Sequence, residues 1–125
     1  MTSWTSDELI RIGAADILRI ASLRRDGTLR SPVPIWVMRV GDDLFVRSVN
    51  GRDAAWFRGA QVRHEGHIHA GGVDKDVTFV ETDGDAALHE QIDAGYRAKY
   101  GWPSSAVSHI TSAAARAATI KLVPR

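Results

Sequence analysis

The chain has 125 residues, 44% hydrophobic and 25% charged, which is the size and balance of one globular domain (1–125) with a single core and excludes intrinsic disorder. Sixteen basic against fifteen acidic residues leave a formal charge of +1, too even for the footprint of a nucleic-acid binder. Cysteine is absent, so disulfides, thiolate metal sites and cysteine nucleophiles are unavailable and redox chemistry would need a cofactor.

The N-terminal stretch MTSWTSDELIR lacks the basic-then-apolar order of a signal peptide, and no apolar run reaches bilayer length. A soluble cytoplasmic protein without a membrane partner is expected. Thr5-Ser6-Asp7-Glu8 fits a capping box with Thr5 at the N-cap, and Trp4 is placed to staple onto Leu9. A helix of two or three turns should follow, ending near Gly13 to Asp16.

DILRIASLRRDGTLRSPVPIWVMRVGDDLFVRS then reads as three strands, jointed at Asp26-Gly27 and at Gly41-Asp42-Asp43. Pro32 and Pro34 cannot donate ladder hydrogen bonds, which places the start of the middle strand at an edge, bulge or barrel corner. From Ile35 it should run regularly, with Ile35 and Val37 on one face, Trp36 and Met38 on the other, and both faces buried. A short helix is expected near Asp53 to Arg58. The strands QVRHEGHIHAGG and DKDVTFVE come next, divided by Gly71-Gly72.

Leu88, Ile92, Tyr96 and Tyr100 lie four apart, the stripe of a helix closing at Gly101 with Pro103 beyond. SSAVSHITSAAARA reads as another helix and TIKLV as a last strand. Short strands joined by tight turns, with helices mostly at the ends, indicate a small antiparallel barrel of the α+β class. A parallel sheet would need helical crossovers that are missing.

LFVRSVNGRDAAWFRGA, 44–60, carries the strongest chemical pattern. Alternation puts Leu44, Val46 and Ser48 on one face and Phe45 and Arg47 on the other, so the Arg47 guanidinium is expected to reach outward. Asn50-Gly51 permits a positive φ, and the following helix offers unpaired N–H groups with Arg52 beside them. Arg47, Ser48, Arg52 and that helix start could converge on a phosphate. The alternative is a surface turn in which Asp53 caps the helix and the arginines face water.

His67 and His69 lie two apart on a strand, a spacing that suits two metal ligands; half-exposed strand residues, with His64 near a turn, are the plainer reading. Trp36 and Trp56 are placed to line a ring-shaped pocket, whereas Tyr96 fits the core. Arg97 and Lys99 fall on the solvent side of their helix; Lys99 could alternatively reach a neighbouring subunit's ligand. No serine sits in a GxSxG elbow.

The residues DG at 26–27, PVPIWV at 32–37, GDDLFVRS at 41–48, Gly51, Trp56, GHI at 66–68, GG at 71–72, ID at 92–93, YRAKYG at 96–101 and ATIKLVP at 118–124 resemble those of domain-of-unknown-function family 2255. Those small bacterial proteins are placed in the flavin-binding split-barrel group. Within the group the pattern is similar to deazaflavin-dependent nitroreductases: a proline-led strand, a GD turn, a strand ending in serine, a glycine, and an aromatic on a short helix.

The resemblance implies a split β-barrel with flanking helices, a bound FMN or deazaflavin, and hydride transfer to a small acceptor. It puts Pro34, Ile35 and Trp36 against the ring and Arg47, Ser48, Gly51, Arg52 and Trp56 at the phosphate, and it implies a homodimer. The chain departs from the pattern in lacking the asparagine that often follows the helix aromatic, with Gly59 nearby, and in carrying Asp53. A non-enzymatic barrel for another anionic ligand or for self-association, and a metal-dependent barrel enzyme resting on His67 and His69, are the alternatives.

Overall fold

The computed structural model describes residues 3–82, 85–101 and 104–125. Helix α1 covers Ser6–Ala14 and opens on the reciprocal capping box, Glu8 N donating to Thr5 Oγ1 at 3.1 Å and Thr5 N to Glu8 Oε1 at 2.9 Å. Trp4 and Leu9 both enter the core. The Trp4 indole donates to Leu122 O at 3.0 Å, fastening the start of the chain to its last strand.

Among the described residues seven strands follow, β1 Leu18–Ser22, β2 Val33–Ile35, β3 Met38–Val40, β4 Asp43–Arg47, β5 Glu65–Ala70, β6 Val73–Glu81 and β7 Thr119–Pro124, with helices α2 Ala55–Arg63, α3 Ala86–Tyr100, α4 Ser105–Ile110 and α5 Ala113–Ala117. All strand pairs are antiparallel, in the order β2-β1-β5-β6-β7-β4-β3. The two outer strands, β2 and β3, are consecutive pieces of one segment, parted only by Trp36 and Val37. The sheet therefore curls until its edges meet in a single bent chain, a split antiparallel barrel of the α+β class.

That bend corrects the expectation of one regular strand from Ile35. Ile35 pairs with Leu18 of β1, whereas Met38 pairs with Phe45 of β4, so the segment changes partner within three residues. The proline signal did mark a barrel corner. Helix α2 is also longer than expected, reaching Arg63 and closing on His64 in the left-handed region (φ 57°, ψ 29°). Strand β5 consequently starts at Glu65 rather than near Gln61.

The alanine-rich segment splits into α4 and α5, because Ser112 accepts from Ala115 N at 3.3 Å and starts a new helix. Helix α3 ends at Gly101, φ 97°, as its stripe indicates; Pro103 and Trp102 lie outside the described residues. No described helix is long and apolar enough to cross a membrane.

The core has two parts. Leu18, Ile20, Leu44, Val46, Ile68, Val77 and Leu122 fill the barrel with Phe57 of α2. Met38, Phe45, Ile92, Tyr96 and Ile110 form a second cluster outside it, where α3 and α4 cover β3 and β4. Strand β4 is thus buried on both faces, and this decides the fate of Arg47.

Candidate functional site

Arg47 shares a face with Phe45, as alternation requires, but that face lies under α3, α4 and α5 instead of facing solvent. The expected outward reach is therefore incorrect: Arg47 is 1% exposed. Its Nη1 pairs with Asp93 and donates to Ile110 O at 3.2 Å, while Nε donates to Thr119 Oγ1 at 3.0 Å and Nη2 lies 3.1 Å from His89 Nδ1. Asp93 also pairs with Arg116. Burial alone would raise the Asp93 carboxyl, but the Arg116 and Arg47 guanidinium groups outweigh it and hold the group below the usual carboxylate range.

The other strand-end residues are also committed to structure. Ser48 N donates to Ala118 O at 3.1 Å, and its hydroxyl is buried without a partner among the described residues. Gly51 takes a positive φ of 76°, as Asn50-Gly51 suggests, and faces the Ala114 Cβ of α5. Arg52 points away from Arg47, donating to Glu81 Oε1 at 2.7 Å and to Ala117 O at 2.9 Å. Asp53 is exposed and does not cap α2, whose N-cap, Ala54, has no side-chain hydrogen bond. The two arginines thus part company, each on its own carboxylate.

The bend between β2 and β3 is held by α3. Where Val37 leaves the ladder, its N–H donates to Tyr100 Oη at 3.3 Å and its carbonyl accepts from Lys99 Nζ at 2.9 Å. Tyr100 Oη donates in turn to Asp16 O at 2.7 Å, and its ring stacks on Trp36, centroids 4.0 Å apart and planes 6° apart. Burial pushes the Tyr100 phenol up to about 12 and lowers the Lys99 amine. Lys99 is thus a half-buried strand anchor, contrary to the expectation of a solvated face.

These bonds fix the orientation of Trp36. Removing the hydroxyl in Tyr100→Phe strands the Val37 amide and is expected to cost about 1–3 kcal/mol. Urea unfolding measures it, with a parallel change in Trp36 fluorescence.

Beside this corner lies a cleft of about 240 Å³. Pro34, Ile35 and Trp36 line it together with Val49, Trp56, Ala106 and Ile110, and Arg47 also reaches the lining. Five sequence candidates, Pro34, Ile35, Trp36, Arg47 and Trp56, therefore share one cavity. Ser48, Gly51 and Arg52 do not line it. Among the described residues β2 is an edge strand, and Pro34 within it has no N–H and offers only its carbonyl as a hydrogen-bonding backbone group. Among the described residues, no carboxylate, histidine or lysine contributes to its lining.

A second hollow of about 240 Å³ lies behind Trp56, which borders both. Ser22, Arg30, Ser31 and Ala55 contribute to it. The sequence reading passed over Arg30; its position two residues before Pro32, at the entry to the proline-led strand, was the available signal. A larger hollow, about 390 Å³ and lined by Trp4, Asp42, Asp43 and Lys121 among others, is a weaker candidate. Its cation is paired, Lys121 with Asp43 at 3.6 Å, and the Trp4 N–H is already bonded to Leu122 O.

His67 and His69 face Asp76 and Asp74 across β5 and β6. His67 Nδ1 lies 2.9 Å from Asp76 Oδ1 and its Nε2 3.2 Å from Asp74 Oδ1, while His69 Nδ1 lies 2.9 Å from Asp74 Oδ1. Hydrogen bonding to Asp76, then to Asp74, raises the His67 pKa. Both His67 nitrogens are occupied by carboxylates. No group of three or more histidine or acidic side chains among the described residues is arranged to hold a metal ion.

The model of a family described as "Uncharacterized protein conserved in bacteria (DUF2255)" matches residues 8–122. No curated protein matches. Among solved structures, the heme storage protein HutZ from Vibrio cholerae has a TM-score of 0.70 at 13% identity, covering 96% of this chain and 89% of its own. A putative pyridoxamine 5'-phosphate oxidase from Listeria innocua has a TM-score of 0.66 at 13% identity, covering 94% and 90%. An F420-H2 dependent reductase, FDR-A, has a TM-score of 0.60 at 17% identity, covering 86% and 93%. At these identities the likeness is one of fold, the split barrel.

Proposed function

The chain belongs to that uncharacterised bacterial family, and we propose that the cleft along β2 binds the ring of a flavin or deazaflavin. The observation that carries this reading is the cavity itself: a mostly apolar cleft of about 240 Å³ lined by Trp36 and Trp56, to which the edge strand β2 contributes Pro34 and Ile35. A planar tricyclic ring has two apolar faces and one edge rich in hydrogen-bonding groups, which suits both features. The names of similar folds, an F420-H2 dependent reductase and a putative pyridoxamine-phosphate oxidase, are consistent with such a ligand.

Each residue then has a role. Tyr100 locks Trp36 from behind, leaving its other face toward the cleft. Val49, Ala106 and Ile110 exclude water, and the β2 backbone orients the polar edge of the ring. Arg47 supports the site from beneath, while Ser48, Gly51 and Arg52 set where α2 begins.

A bound flavin or deazaflavin would supply hydride transfer to a small acceptor, the chemistry that these side chains lack. Val49, 46% exposed at the rim, leaves the cleft open on one side, which a second subunit in a homodimer would cover. A lining without carboxylate, histidine or lysine among the described residues favours, as a second reading, a binding protein without turnover.

Titrating the purified protein separately with FMN and a deazaflavin, followed by absorption and by quenching of tryptophan fluorescence, is expected to give saturable micromolar binding of at least one. Absence of binding by both would remove the proposal.

A further inference from the structure

We propose that the hollow behind Trp56 is a subsite for a phosphate ester and that Arg30 is its cationic anchor. It extends the ring-binding reading above, on which it rests only for the rest of the ligand; the anion subsite stands or falls by itself.

The hollow has the chemistry of an anion site. Ser22 is 5% exposed, borders the cavity, and has no hydrogen-bond partner for its hydroxyl among the described residues. Arg30 has neither a carboxylate nor a carbonyl on its guanidinium among the described residues, and its Nε is buried without an acceptor. A buried donor without a partner is costly unless a ligand completes it.

Both groups exist there because of a glycine. A Cβ on Gly59 would fall 2.9 Å from Arg30 Nε and 2.9 Å from Ser22 Oγ, so any side chain at that position of α2 would crowd them. The backbone ties them as well, Arg30 N donating to Ser22 O at 2.9 Å. Gly59 is thus the residue that lets β1 and the loop after it bring an arginine and a hydroxyl onto the helix.

The first turn of α2 completes the site. The other described α-helices open on a side-chain cap from Thr5, Asp85, Ser104 or Ser112, whereas α2 opens on Ala54 with none, and Ala55 borders the hollow. Amides at a nine-residue helix start, a guanidinium and a serine hydroxyl together match a phosphate.

Trp56 lines both this hollow and the ring cleft, so one ligand could reach past it with its ring in the cleft and its phosphate in the hollow. Each hollow alone is smaller than the ~300–1,000 Å³ of small-ligand sites; the pair falls within it. Arg47 and Arg52, the expected phosphate ligands, are already on Asp93 and Glu81.

The test is a titration with inorganic phosphate, read by amide and arginine Nε–H resonances, on the wild type, Arg30→Gln and Ser22→Ala. Saturable shifts at Arg30, Ala55 and Trp56 are expected, weakened about tenfold or more in Arg30→Gln and less in Ser22→Ala. Absent shifts, or equal affinity in Arg30→Gln with an otherwise unchanged spectrum, would overturn the proposal.

Comparing FMN with riboflavin separates the two claims. FMN should bind about tenfold or more tightly than riboflavin, with the gap closing in Arg30→Gln. If phosphate shifts Arg30 while neither flavin binds, the subsite stands and the ring reading fails. If both flavins bind equally and phosphate shifts nothing, the subsite fails and the ring reading stands.

Discussion

Replacing Arg47 with alanine is expected to lower stability by about 3–5 kcal/mol, the range for breaking a buried ion pair. Arg47 and Asp93 have side chains 0% and 3% exposed, and the guanidinium reaches β7, α3 and the end of α4 at once. Its loss leaves Asp93 with Arg116 alone, itself 39% exposed. Such a deficit is a large share of the ~5–15 kcal/mol that holds an ordinary domain together.

Urea denaturation gives the number, with Arg52→Ala as the comparison. The Arg52–Glu81 pair is 48% and 38% exposed, so its removal should cost about 1 kcal/mol or less. Adding Asp93→Ala to Arg47→Ala should restore part of the loss, because it removes the carboxylate left behind. A cost below about 1 kcal/mol for Arg47→Ala would mean that the guanidinium is not enclosed as described. A loss of ligand binding in that variant would report on folding first.

Gly66→Ala is expected to cost about 3 kcal/mol or more, the upper end of overpacking effects. Gly66 lies in β5, opposite Ser22 on one side and Val77 on the other. A Cβ there would run into the Ala21 carbonyl oxygen and stand 2.7 Å from Phe79 Cζ. The first obstacle is backbone of the neighbouring strand, so relief requires β1 and β5 to separate.

That separation would move Ser22 and the loop leading to Arg30. Thermal unfolding of Gly66→Ala should show a lowered midpoint, and hydrogen exchange should show faster opening along β1. An unchanged midpoint would contradict the strand pairing.

The barrel was legible because its signals are local. A capping box, a DG turn, prolines at the corner and a four-residue stripe each act over a few residues, and each produced the element expected. What could not be read is set by distant partners. Arg47 follows the strand alternation, but alternation does not say what covers a face, and α3 to α5 arrive from more than forty residues away. Lys99 looks solvated on a helical wheel; only the broken strand at Val37 gives its ammonium an acceptor.

The same reasoning applies to the candidate site. Trp36 and Trp56 are singled out by their placement and, with Pro34 and Ile35, by the resemblance, and the four border one cleft. Arg30 was missed because its partners are absences: no side chain on Gly59, no cap on α2, and no acceptor among the described residues. Residue patterns show groups that are present and not spaces left between them.

The most direct test is the crystal structure of the protein grown with FMN or a deazaflavin. The ring is expected between Trp36 and Trp56 along β2, with the phosphate beside Arg30 and the first amides of α2. A ring bound instead in the hollow between Trp4 and Lys121, or a phosphate reached by Arg47 after it leaves Asp93, would contradict it.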